Sequence, residues 1–452
     1  MKIKKAILLL TVPLILSCKS EFLDAVSDKS KVVPESLEDM EAILNNTTVM
    51  NLYSAHQLAL IGVDEYELTD ARWSLVPSEL EKSAYIWQGR DREEVQDWNY
   101  SYKRILYSNL VLEGLEKMEF QRSGPDADYI NGAALFYRAM SLFDMVPLFC
   151  KAYDPRTAGD DLGLPLKTTV DVEDVPQRAS LRGTLTFILD DLKIAADLLP
   201  DDAGITEKPN KIAVMALLSR IYLYMADYSN ALFYAEQVLE NRDELLDYKT
   251  IPLDAPYPFP RRGTGNPEVI FMYMTGGPSV LSVNNFDVSK KFYAYFSDND
   301  LRKRAFFSNN ADGRILFKGM YSGQNTRFTG LSTDEIYLIA AECAVRMGEN
   351  DKGLLLLNRL SKKRYVEYQD LSTADFGDES EMLAHILLER KKELYQRGLH
   401  WADLKRLNLE GRFVEKLERT VHGESYELLP NSPNYVWPIP YQTVELSGLQ
   451  QN

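Results

Sequence analysis

Four histidines, three cysteines and 67 acidic residues bound the chemistry open to this 452-residue chain. His56, His385, His400 and His422 fall into no HExxH or other helical ligand pair, and no CxxC occurs, so the spacing that a zinc site needs is missing. A GxSxG nucleophile elbow and a P-loop are also absent. The glycine-containing run at 263–268, GTGNPE, lacks the third glycine and the flanking strand and helix of a dinucleotide loop. Acidic pairs at Asp160-Asp161, Asp190-Asp191 and Asp201-Asp202 read as solvated helix and loop acids, and the cleft separation that a glycosidase pair requires is not written in a sequence. No catalytic residue, metal or cofactor is assigned. Binding chemistry is better represented. VDEYELTDARWSLVP, followed by YIWQG, brings Asp64, Tyr66, Asp70, Trp73, Tyr85 and Trp87 together, mixing flat rings with the acceptors that sugar rings need. Any one such ring is more often packing than a platform. Asn285 and Tyr293 lie in a second loop-rich stretch, and the candidate set is Asp64, Tyr66, Trp73, Asn285 and Tyr293, with stacking from the rings and hydrogen bonding from Asp64 or Asn285.

Cys18 is a different kind of reactive residue. Lys2, Lys4 and Lys5 precede the apolar run AILLLTVPLILS, which is too short and too broken by Pro13 to span a bilayer comfortably, and the run ends on Leu16-Ser17-Cys18. The layout resembles the lipobox of bacterial lipoproteins, in which the cysteine takes a diacylglycerol and becomes the first mature residue. Residues 1–17 are then a signal peptide and 18–35 a polar, lipid-anchored tether, with each buried methylene of the acyl chains adding about 0.8 kcal/mol of membrane affinity. Cys150 and Cys343 are too few for a stapled scaffold, and Cys343, inside EIYLIAAECAVRM, is expected to be a buried inert thiol, with no disulfide.

Loss of residues 1–17, which carry three lysines and no acids, takes the formal charge from −16 to −19. So acidic a surface argues against nucleic acid and anionic headgroups as partners. Hydrophobic residues make up 45% of the chain, enough for one large core or two intimately packed ones.

The positioning elements read as mainly α. SLEDMEAILNN has helical spacing with Ser36 as N-cap; VQDWNYSYKRILYSNLVLEGLEKM and NGAALFYRAMSLFDMVPLF follow as helices, the latter expected to stop at Pro147, and LRGTLTFILDDLKIAADLLP stops at Pro200. KIAVMALLSRIYLYMADYSNALFYAEQVLE, with small residues at Ala216, Ala231 and Ala235 and a turn at Asp227, imitates the interlock of a tetratricopeptide pair. A second such pair runs through DEIYLIAAECAVRMGENDKGLLLLNRLSKKR. Between them, residues 247–330 form a Pro- and Gly-rich insertion in which EVIFMYM reads as a strand. The expected organisation is an N-terminal helical part over 36–246, the loop-rich insertion, and a C-terminal part over 331–452.

Taken in order, several stretches resemble the SusD/RagB family of Bacteroidetes outer-membrane lipoproteins. Phe22-Leu23-Asp24 follows the lipobox; Tyr102, Ile105 and Asn109 match a Y-x-x-I-x-x-x-N helix; Arg138, Gly163 and Pro165 match the RA helix and its Pro-Leu turn. Glu389, Arg390, Glu393, Leu394, Gly398, Trp401, Asp403, Leu404 and Arg406 match the most specific signature, with His400 where the family usually has Arg. YVWPIPYQTVELSGLQQN resembles the family's closing motif, with Ser447-Gly448 where Asn is frequent. These residues look like scaffold: leucines and Trp401 for packing, and Glu389, Arg390, Glu393, Asp403 and Arg406 for ion pairs that dock helices. The resemblance implies a SusD-like fold and a non-enzymatic, outer-membrane, surface-exposed protein. It implies capture of an oligomeric nutrient, usually a glycan, on aromatic loops, beneath which sits a TonB-dependent SusC-like barrel. Oligopeptide capture, a surface polysaccharide hydrolase and a purely protein-binding assembly factor are the rival readings.

Overall fold

A computed structural model of the chain describes residues 34–89, 94–118, 124–171, 173–282 and 284–452. Cys18 and the rest of the proposed signal and tether up to residue 33 lie outside them. The first described helix, α1 (Leu37–Leu44), starts where the Ser36 hydroxyl accepts the Asp39 amide at 3.1 Å, as its sequence requires. Two long helices follow, α2 (Gln96–Lys117) and α3 (Pro125–Phe149), then α4 (Leu181–Leu198), α5 (Lys211–Tyr224) and α6 (Tyr228–Asn241). After the loop-rich middle come α7 (Thr333–Arg346), α8 (Asn350–Ser361), α9 (Glu379–Glu393) and α10 (His400–Asn408). From α2 to α6 each helix packs on the next in sequence, and α7 packs on α6, α8 and α9.

The two tetratricopeptide-like pairs are α5–α6 and α7–α8. Their sequences are separated by residues 242–332, yet α6 lies directly against α7, so the pairs are spatial neighbours and the intervening segment is an excursion from a continuous stack. The small residues do what their size allows: Ala216, Ala231 and Ala235 are fully buried where helices approach closely. Asp227 caps α6 by accepting the Asn230 amide at 3.2 Å, and Gly348, at φ +82°, reverses the chain between α7 and α8. One expectation needs correction. Pro147 lies inside α3, which runs on to Phe149. In the last turn a proline forfeits a single hydrogen bond, and its own carbonyl is recruited by Lys405 (2.7 Å) and the Trp401 indole (3.2 Å), which pins the helix end to α10.

In the described residues the strands form two-stranded antiparallel pieces only. EVIFMYM becomes two of them, Val269–Phe271 against Leu331–Ser332 and Met274–Thr275 against Arg327–Phe328, which fasten the excursion to the start of α7. Cys150 and Cys343 are buried and unpaired, and burial pushes the Cys150 thiol up to about 11.

The signature residues are structural charges. Arg390 and Arg406 both reach Asp403, at 2.9 and 2.8 Å, and Arg406 also forks onto Glu342 at 2.6 and 2.8 Å. Glu389 and Glu393 receive Arg302 at 2.6 and 3.0 Å, and Glu393 shares Arg364 with Glu268, at 2.8 and 2.7 Å. Asn109 accepts Arg138 at 3.0 Å while Arg138 forks onto Asp191, which joins α2, α3 and α4. At Gly163 a Cβ would stand 2.5 Å from the Ser180 carbonyl, so only glycine fits.

Candidate functional site

Two loop regions expected to carry the site meet on one surface. Strand β1 (Tyr66–Glu67) pairs antiparallel with β2 (Asp287–Val288), Tyr66 opposite Val288. Around this short ladder, Ser289 donates its amide to the Glu65 carbonyl at 3.0 Å, and Glu81 accepts the Ser279 and Val280 amides at 3.0 and 2.8 Å. Asp287 is held between Arg72 (2.7 Å) and Arg314 (2.6 Å). Ladder, carboxylate cap and ion triad together convert irregular backbone into a fixed platform.

The five candidates fare differently on it. Trp73 is half-buried, its indole donates to the Lys82 carbonyl at 3.4 Å, and the Lys82 ammonium lies 5.6 Å from the ring. Beside it Leu75 is 81% exposed, on a short helix, Asp70–Leu75, with no buried residue. Tyr293 is likewise half-buried, with Lys303 5.1 Å over its ring and Phe307 edge-on at 5.4 Å. Asn285 is half-buried and its amide is committed to the Ser279 carbonyl at 2.7 Å.

Asp64 is not a free acceptor: Lys391 donates to it at 3.2 Å, and Lys291 and His400 stand at 3.9 and 4.0 Å. Burial opposes ionisation there, but these cations win and hold its carboxyl below the usual range. Tyr66 is a correction. It is 1% exposed, its hydroxyl donates to the Ile61 carbonyl at 2.9 Å, and Phe286 and Tyr85 cover the ring, so neither face can stack on a ligand. Tyr85 and Trp87 are buried with it, around Arg419.

That arginine belongs to an element the sequence reading passed over, the hairpin of β3 (Leu417–Val421) and β4 (Glu424–Leu428), whose tip residue His422 touches Trp73 edge-on at 5.7 Å. The available signal was short: five residues alternating across the pleat on each side of His422-Gly423.

Other concavities lie elsewhere. A cavity of about 710 Å³ sits between the loop after α3 (Lys151, Asp154, Asp161), the end of α10 (Asn408, Leu409) and the 431–438 segment, and none of the five candidates lines it. Among the described residues, Glu268, Asp334 and Glu393 are close enough to share an ion, their oxygens within 4.8 Å of one another. Arg364 and Arg397 already occupy them, Arg397 forking onto Asp334 at 2.6 and 3.1 Å, and all three acids are fully buried. Guanidinium forks there supply the charge a cation would bring.

Half-exposed rings thus sit on braced loops over stacked helical hairpins. The chain belongs to the SusD/RagB family: a family model described as starch-binding, associating with the outer membrane, matches residues 21–223, and the SusD family model matches 319–452. Among solved structures, it is similar to a SusD superfamily protein of Bacteroides thetaiotaomicron, with 21% identity, TM-score 0.75, and 92% of this chain and 99% of that one covered. A SusD-like carbohydrate binding protein of Bacteroides vulgatus gives 17% identity, TM-score 0.67 and coverages of 92% and 97%, and a SusD superfamily protein of Parabacteroides distasonis 17%, 0.70, 92% and 98%. No curated protein matches the chain. No described helix is long and apolar enough to cross a membrane.

Proposed function

We propose that this protein captures oligosaccharides at the cell surface and passes them to a TonB-dependent SusC-like barrel, held to the outer membrane by lipid on Cys18. The observation that carries the binding reading is the pair of part-exposed rings, Trp73 and Tyr293, on two loops stitched together by β1 and β2. The flat apolar faces of such rings suit the C–H surfaces of a pyranose. Calorimetry against neutral oligosaccharides and, in parallel, short peptides tests it. Trp73→Ala is expected to weaken saccharide binding about tenfold, the loss of roughly 1.4 kcal/mol of ring contact. Unchanged affinity in both Trp73→Ala and Tyr293→Ala removes this surface from consideration, and heat only with peptides replaces the glycan by an oligopeptide.

The anchor has its own test. Wild-type protein is expected in the membrane fraction and Cys18→Ala in the soluble fraction, because the described chain offers no spanning helix to retain it. A Cys18→Ala protein that still sediments with membranes overturns the lipid attachment.

A further inference from the structure

The hairpin β3–β4 does more than flank the aromatic loop. Arg419 is 7% exposed and donates from Nη1 to the carbonyl oxygens of Ile61 (3.1 Å) and Tyr85 and from Nη2 to that of Val63. Its guanidinium carbon lies 3.8 Å from the centre of the Tyr85 ring, 4.9 Å from Trp87 and 5.0 Å from Tyr66. Among the described residues no carboxylate pairs with it. A buried charge balanced only by carbonyl dipoles and ring faces depends on the planar fork, which a lysine cannot reproduce. Trp87, held at φ +57°, donates its indole N–H to the Gly62 carbonyl at 2.7 Å, so both ends of the 61–87 loop close on the same guanidinium.

The hairpin tip reaches the middle of that loop. The His422 amide donates to Asp70 at 2.8 Å, its Nε2 lies 2.9 Å from the Ser74 hydroxyl, and its ring meets Trp73 edge-on. Asp70 and Ser74 bracket Trp73 on a helix of six residues with nothing buried, a segment with little packing of its own to fix a side chain.

We propose that the β3–β4 hairpin is the positioning clamp of the binding surface: Arg419 sets the base of the aromatic loop, and His422 sets the orientation of Trp73. Its ligand readout rests on the glycan reading above; its mechanical readout does not. The test compares full-length wild type with His422→Asn, which drops the ring while tolerating the positive φ of 50° at that position, and Arg419→Lys. Two quantities are read: hydrogen exchange across residues 66–76, and affinity for maltoheptaose, xylohexaose and mannohexaose.

Both variants are expected to exchange at least tenfold faster across 66–76 while α7 keeps its protection, and to bind the saccharide that wild type selects at least threefold more weakly. Wild-type exchange in both variants overturns the clamp. Faster exchange with unchanged affinity also overturns it, since the hairpin would then be bracing a loop the ligand ignores. If wild type binds none of the three sugars, the glycan reading has failed and the exchange rates alone decide. If Arg419→Lys does not fold, His422→Asn carries the decision.

Discussion

Replacing Arg364 with methionine is expected to lower the unfolding free energy by roughly 3–5 kcal/mol at pH 7.5. Arg364 is fully buried, donates to Glu393 at 2.8 Å and Glu268 at 2.7 Å, gives a third bond to the Leu246 carbonyl at 2.9 Å, and lies 4.0 Å over the Tyr248 ring. Methionine fills most of the volume but leaves two interior carboxylates facing each other and Asp334 without their shared cation. The loss therefore belongs to the ionised acids, and it has a pH signature. Burial already pushes Glu268 up to about 7 and raises Glu393. Without Arg364 both hold a proton to higher pH in the folded state, while the unfolded chain releases it near the ordinary carboxylate value. More protons on the folded than the unfolded state means that stability falls as pH rises, so the deficit is smaller at pH 5 than at pH 8. Urea midpoints of both proteins across that range measure it. A deficit independent of pH would assign the loss to packing alone. Arg156, whose side chain is 86% exposed beside Asp154, is the control: Arg156→Met is expected to leave the urea midpoint unchanged across the same pH range.

Nothing in the local sequence distinguishes these two arginines, because long-range contacts decide which of them is buried. Helices announce themselves by periodicity: Ala216, Ala231 and Ala235 recur at the spacing where α5 and α6 touch, and the Gly348-Glu349-Asn350 turn between two helical runs marks the α7–α8 pair. Their adjacency was not legible, since residues 242–332 intervene and nothing local records a long-range contact. The signature charges are legible as docking pairs, because Glu389, Arg390, Glu393, Asp403 and Arg406 share a short run with Leu394, Trp401 and Leu404. The surface was harder. In VDEYELTD a tyrosine facing the core and one facing solvent look alike, and Tyr66 turns inward because its partner Val288 lies in a strand more than 200 positions away. Asp64 reads as a free acid until Lys391, 327 positions on, is seen to claim it. Arg419 lies between Glu418 and Thr420 in a run that resembles a solvated strand, and only its cage of three rings shows it to be interior.

Glu65 shows the same blindness with the opposite sign for stability, and replacing it is expected to strengthen the fold. Its side chain is 1% exposed; one carboxyl oxygen has no partner and the other receives only the Gln396 amide at 3.5 Å. Burial pushes this carboxyl up to about 8 against an ordinary value of 4.5, and the neighbouring charge of Asp64 reinforces the rise, with Lys391 opposing it. Below about pH 4.5 folded and unfolded chains both carry the proton and the residue is neutral in effect. Between 4.5 and 8 the unfolded chain releases the proton and the folded chain retains it, so wild type loses stability as pH rises through that window. Glu65→Gln keeps the shape of the protonated side chain and cannot ionise in either state. The stability difference, variant minus wild type, should therefore grow by about 2–4 kcal/mol from pH 4.5 to pH 8, at 1.36 kcal/mol for each unit of displaced titration. His56 and His400, which burial lowers to about 3 and about 4, titrate in both proteins and cancel from the difference. Denaturation curves at four pH values suffice, and two parallel curves would mean that Glu65 is ionised in the fold and held by Lys391. A growing difference would instead place a neutral acid immediately before β1, at the start of the strand that carries the platform. The bracing of that surface would then weaken at alkaline pH in wild type and not in Glu65→Gln.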